Sequence, residues 1–149
     1  MSFKVNKILE AGNTIPDVLI KNRKGVSTSF VKAFKKPTVL YFWSYTRQGQ
    51  MKNAHLKAAE LQKKYPEFDF AAINVDKENI PWIKQLERNG YSSKFEYQFE
   101  NPEKAIRIMD LGGDLNKTVV IDKNSTILNS HANLRNYNFE NELLVYLNQ

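Results

Sequence analysis

Arg47 and Gln50 stand three residues apart, just beyond the run Thr38–Trp43, TVLYFW, with Tyr45 and Thr46 between. In a small α/β domain, the junction of a strand and the following helix is where a ligand meets unpaired helix amides. A guanidinium there, beside Trp43 and Tyr45, suits a carboxylate or phosphate, with the amides of Gln48–Gln50 assisting. Without an anion the helix dipole opposes a cation at that end by about 0.3–1 kcal/mol. Trp43 and Tyr45 can serve as aromatic anchors of a recognition surface, and Trp43 can equally close the core at the strand end. The chain has no cysteine, so it lacks a thiolate nucleophile, a disulfide framework and thiolate metal ligands. His55 and His131 are the only imidazoles; no H-x-x-H or H-E-x-x-H pattern exists and acids nearby in the chain are sparse, so no metal site is expected. His131, Asp122 and Ser130 are neighbours on one hairpin without a G-x-S-x-G elbow, which does not make a hydrolytic triad. Gly112-Gly113 fits neither G-x-G-x-x-G nor the phosphate-loop pattern and reads as a turn, so no cofactor is expected.

The elements that must position these groups follow from local pattern. With 149 residues, 42% hydrophobic and 12% aromatic, the chain fits one domain over 1–149, complete or cut from a larger protein. Val18–Ile20 reads as a strand, Asn22–Gly25 as a turn, and Val26–Ser27 as a second extended piece. Ser29 or Thr28 caps a brief helix over Phe30–Phe34, halted by Pro37. Val39–Trp43 is continuously apolar, which predicts a central strand covered on both faces. From Gln50 to Tyr65 the period becomes helical, with Met51, Ala54, Ala58, Leu61 and Tyr65 on one stripe. Phe68–Val75 is the next strand, and the strand–helix–strand unit should be right-handed and parallel. Pro81, Trp82, Ile83 and Leu86 mark a helix ended by Gly90. Tyr91–Met109 reads as a loop followed by a short helix over Pro102–Met109. Thr118–Ile121, a turn at Asp122–Ser125 and Thr126–Ser130 form a hairpin, and a helix begins near Asn138–Asn141.

The charge is uneven. Lys21–Lys64 holds eleven Lys or Arg against one acid, Glu60, while the whole chain carries only +6. Such a face can steer an acidic partner or an anionic membrane surface. No zinc-finger spacing or base-reading helix accompanies it, so nucleic acid is not an expected partner. No apolar run approaches the about 18 residues of a membrane span. The start, MSFKVNKILEAG, lacks the apolar region of a signal peptide.

Three strings in order resemble the thioredoxin superfamily, in particular the redoxin-like thiol-disulfide oxidoreductases that bacteria anchor at or export across the inner membrane. Gly12–Asp17 with Asn22–Gly25 resembles that branch's first strand and hairpin. Val39–Trp43 followed by Ser44-Tyr45-Thr46 is similar to its strand and aromatic turn. Val119–Lys123 resembles the strand leading into its β-hairpin. The resemblance implies a three-layer α/β/α sandwich with a central mixed sheet, an N-terminal hairpin and an insertion, Ser92–Leu115, before the C-terminal hairpin. The family's Cys-x-x-Cys pair falls on Arg47 and Gln50, and its cis-proline on Asn116 or a neighbour such as Lys117. Thiol-disulfide exchange is excluded by composition alone. A cis bond without proline would cost about 2.5–4 kcal/mol, so a trans bond and an altered groove are expected. What remains is a redox-inactive domain whose groove of Trp43, Tyr45, Thr46, Arg47, Gln50, Asn116 and Lys117 serves a structural, protein-interaction or peptide-binding purpose. Partners would be a protein, a peptide or other domains of the same polypeptide. Two other readings are a non-thiol enzyme acting on a small anionic or thiol-cofactor substrate, and a basic-face adaptor. The resemblance places the chain in the bacterial periplasm or cell envelope; a cytoplasmic location is the alternative.

Overall fold

The computed structural model describes residues 7–92 and 94–149. Met1–Asn6, at the start of the stretch read for a signal peptide, and Ser93, within the expected insertion, lie outside the described residues. The strands are Leu19–Lys21 (β1), Ser27–Ser29 (β2), Thr38–Trp43 (β3), Asp69–Asn74 (β4), Glu96–Phe99 (β5), Thr118–Ile121 (β6) and Ile127–Ala132 (β7). They form one sheet in the order β2-β1-β5-β4-β3-β6-β7. The centre, β3, β4 and β5, is parallel. β1 joins β5 and β6 joins β3 antiparallel, each bringing its hairpin partner to an edge.

All six residues of β3 are buried. Because side chains alternate across a strand, a run buried throughout needs cover on both faces. One layer is made by Phe30–Ala33 (α1) and Pro102–Ile108 (α4) against Leu40, Phe42, Ile73 and Phe99. The other is made by Gln48–Lys64 (α2), Asn79–Asn89 (α3) and Phe139–Leu147 (α5) against Val39, Tyr41 and Trp43. The result is a three-layer sandwich on a mixed sheet, as the resemblance implied. The stripe Met51, Ala54, Ala58 and Leu61 is the buried side of α2, which starts two residues earlier than its periodicity suggested.

Local chemistry sets the element ends. The Ser29 hydroxyl accepts from the Lys32 amide at the start of α1, and Asn101 accepts from Lys104 ahead of Pro102 in α4. α3 stops where Gly90 takes a left-handed φ of 64°, a conformation that glycine adopts without Cβ strain. Asp122 Oδ1 accepts from the amides of Asn124 and Thr126, both at 2.9 Å, and so closes the β6–β7 turn without glycine.

The segment from Tyr91 differs from expectation. It contributes β5, paired with both β4 and β1, so the sheet gains a strand that the sequence reading assigned to a loop. Part of the supposed insertion is framework. The row Thr118–Tyr41–Ala72–Glu96 runs across four strands, and the row Trp43–Asn74–Gln98 lies beside it on the same face. A glutamate and a glutamine thereby enter the sheet interior.

Candidate functional site

Beyond Trp43 the chain turns through Ser44–Arg47 into α2, and Asp76 braces that turn from the end of β4. Its Oδ1 accepts from Ser44 Oγ at 2.6 Å, and its Oδ2 accepts from the Tyr45 amide and from Asn74 Nδ2, each at 2.9 Å. Asn74 Oδ1 accepts from Gln98 Nε2 at 3.0 Å, and Gln98 also donates to the Glu78 carbonyl. The carboxyl ends of the three parallel strands are thus tied by one polar chain. Its members Asp76 and Gln98 were missed because neither sits in a recognisable spacing. Arg47 stands at the N-cap of α2 without making a side-chain cap, and the first turn has no acid.

The expected groove residues separate into four sets. Arg47 and Gln50 meet the loop after α4: Arg47 Nη1 donates to the Gly113 carbonyl at 2.7 Å, and Gln50 Nε2 donates to the Phe42 carbonyl at 3.0 Å and the Leu115 carbonyl at 3.3 Å. Asn116 joins them and accepts from Arg135 Nη1 at 3.0 Å through its side-chain oxygen. Gln50, Leu115, Asn116, Leu134 and Tyr41 close on one another with essentially no free volume. Trp43 belongs to a second set: it is fully buried under the sheet, in contact with the ring of His55. Tyr45 is half-buried, and Thr46 is exposed with its hydroxyl 2.8 Å from that of Ser44. Lys117 donates to the Met109 carbonyl at 3.0 Å and the Asp110 carbonyl at 3.4 Å; burial lowers its pKa, with Asp110 and Asp114 opposing. All described peptide bonds are trans, including those around Asn116. Ser130 is buried and His131 exposed, as neighbours on a strand must point apart, so the two do not face each other.

His55 is placed differently from its reading as a histidine with few acids about it. It is buried on α2, and the carboxylate of Glu96, brought by β5, lies 3.0 Å from Nε2. Nδ1 lies 2.8 Å from the Met51 carbonyl. A carbonyl only accepts, so Nδ1 carries a proton and the Nε2–Glu96 contact shares one more. The ring of Tyr91 stacks on the imidazole at 3.7 Å and 4°, while Trp43 and Tyr41 meet it edge-on at 5.1 and 5.4 Å. Burial raises the pKa of Glu96, and the His55 hydrogen bond and charge pull it partly back. Tyr91 is pushed up to about 12, by burial first and Glu96 second, and Tyr41 rises for the same causes. Both phenols therefore remain hydrogen-bond donors. Beside the pair opens a cavity of about 560 Å³ between α2, the end of α3 and β5. Among the described residues, no group of three His, Asp or Glu is arranged to hold a metal ion. No described helix is long and apolar enough to cross a membrane.

Solved structures share this fold across nearly the whole chain. A proposed thiol-disulfide oxidoreductase from Bacteroides vulgatus superposes with a TM-score of 0.80 at 15% identity, covering 93% of this chain and 98% of its own. A domain of a proposed thiol-disulfide isomerase from Cytophaga hutchinsonii gives 0.76 at 16% identity, covering 94% and 95%. A proposed thiol:disulfide interchange protein DsbE from Chlorobium tepidum gives 0.69 at 21% identity, covering 93% and 99%. No protein-family model and no curated protein matches the sequence. The fold is thioredoxin-like, and with no cysteine in the chain it has no thiol-disulfide exchange chemistry.

Proposed function

We propose that this chain is a non-catalytic thioredoxin-like domain that acts as a protein-interaction module in the bacterial cell envelope. It would recognise acidic or carboxylate-bearing segments of a partner, or of its own polypeptide, with the outer rim of the former redox end. The observation that carries this reading is the clasp of Arg47 and Gln50 onto the 113–116 loop. At the helix start where the family resemblance puts a dithiol, two side chains are anchored to backbone carbonyls, and Gln50 packs against Leu115 and Asn116 with no room for a ligand. A partner would therefore meet a fixed surface rather than enter a reactive cleft. Arg47 and Arg135 are both exposed and anchored on that loop, through Gly113 and Asn116, and each guanidinium keeps unused N–H donors for a carboxylate. Asp114 on the same loop limits the field but occupies the Asn116 amide. The envelope location rests on the likeness to the bacterial structures and on nothing in the site.

The test is a two-dimensional NMR titration with a glutamate-rich peptide bearing a free carboxyl terminus, at low and high salt. Shifts should concentrate at Thr46–Gln50 and Gly113–Asn116, shrink with salt, and weaken at least tenfold in R47A/R135A. Binding that ignores both salt and the double substitution would overturn the proposal. So would turnover of insulin with dithiothreitol above a protein-free control.

A further inference from the structure

We infer that the cavity beside Glu96 is a binding site for a small organic ammonium, an arylalkylamine in chemical class. The site lies under the sheet on the α2 side, away from the Arg47 rim, and stands or falls independently of the interaction reading. Glu96 is the first reason. Its side chain is 6% exposed, and among the described residues the only donor reaching it is His55 Nε2, at 3.0 Å from one oxygen and 3.3 Å from the other. A carboxylate has about four acceptor positions, and a buried one normally recruits several donors. Glu96 has one, and it borders a cavity. A ligand that brings N–H donors and positive charge would complete its shell.

The walls are the second reason. Tyr41, Phe70, Tyr91 and Phe95 bring four aromatic rings to the cavity around Glu96 and His55, with Gln62 and Ser92 as neutral polar groups beside them. Ring faces attract a cation once water is removed, and an aryl body would gain stacking and apolar burial against the same rings. One of these rings already holds a cation, since Lys94 Nζ sits 5.1 Å from the centre of Phe95 at the mouth. The cavity of about 560 Å³ lies within the range of small-ligand sites, roughly 300–1,000 Å³.

The rim carries the competing indication. Lys63 and Lys94 are exposed there and would favour an anion, whereas Asp69 is engaged by Lys36 at 3.4 Å. Those lysines face solvent, where their attraction is screened; Glu96 acts from inside, where it is not. The inner charge should therefore decide the sign of the ligand.

Benzylamine, benzyl alcohol and benzoate, three probes of one shape and different charge, distinguish these readings in titrations of the intact chain followed by amide shifts and intrinsic tryptophan fluorescence. Benzylamine should bind saturably, at least tenfold tighter than benzyl alcohol and benzoate, with shifts at Tyr41, Tyr91 and Glu96. E96Q should lose that preference. Equal or tighter binding of benzoate, or no saturable binding of benzylamine, would overturn the inference. Because the probe comparison uses the unsubstituted chain, it decides the matter even where E96Q fails to fold.

Discussion

Replacing one member of the His55–Glu96 pair should destabilise the protein far more than replacing both. The two side chains are each 6% exposed and 3.0 Å apart. At an effective dielectric of 20, a full charge pair at that distance attracts by about 5 kcal/mol, and taking each ion out of water costs several kcal/mol. The pair as a whole is therefore close to neutral for stability, while its halves are not. H55L strands a buried carboxylate that loses its donor His55; E96L strands an imidazole among Trp43, Tyr41 and Tyr91. Each single change should cost about 3 kcal/mol, the lower end of the usual 3–5 because the adjacent cavity can admit water to the orphan. H55L/E96L, leaving only apolar groups of similar bulk, should cost less than either single variant. Urea denaturation of the four proteins measures the cycle, and in a melt each single variant should fall by about 6–12 °C. Additive losses, or single losses under about 1 kcal/mol, would refute a buried, mutually dependent pair.

Glu96 also fixes a pH dependence. Its folded-state pKa is raised above the unfolded value, so the folded protein binds more protons and the contribution is complete below the ordinary glutamate range of about 4.3. It is lost as pH rises through the raised value, so chemical denaturation should show wild type losing stability relative to E96Q from about pH 4 upward. His55 and, more remotely, Arg23 face this group and soften the slope without reversing it; a relative gain would contradict the assignment. D76A removes three accepted hydrogen bonds and should cost about 2–3 kcal/mol, with faster amide exchange at Tyr45–Arg47; a loss under about 0.5 kcal/mol would mean that Asp76 does not hold the turn. G90A should cost about 1 kcal/mol from backbone strain alone, since a Cβ at that residue meets nothing within 4 Å; a larger loss in a thermal melt would indicate a packing cause.

What could be read from the chain was what depends on neighbours in sequence. The TVLYFW run, the α2 stripe, the Asp122 turn and the stop at Gly90 are all short-range signals, and each appears where expected. β5 was not legible, because Glu96-Tyr97-Gln98-Phe99 alternates polar and aromatic residues as an exposed strand or a loop would. Its polar side chains are inside only because His55 and Asn74, 41 and 24 residues away along the chain, receive them. Ala72 lies between Tyr41 and Glu96 in the row across the sheet. For the site the limit was similar. The position of Arg47 and Gln50 was visible from the strand–helix junction, but the carbonyls of Gly113 and Leu115 that engage them belong to a loop with no pattern of its own.

The strand that ends at Trp43 thus relates two environments of opposite character. At its carboxyl end, Phe42 offers a carbonyl to Gln50, Asp76 accepts from the Tyr45 amide, and Arg47 donates to the Gly113 carbonyl. These bonds hold the groups in place and leave the remaining guanidinium N–H donors of Arg47 to present charge at a fixed surface. Within the same strand, Tyr41 faces Glu96, which has more acceptor capacity than donors and a cavity beside it. Incomplete satisfaction of a buried charge destabilises a fold unless something completes it. The geometry accordingly puts the demand for a ligand two residues before the end of β3 and beneath the sheet, apart from the start of α2.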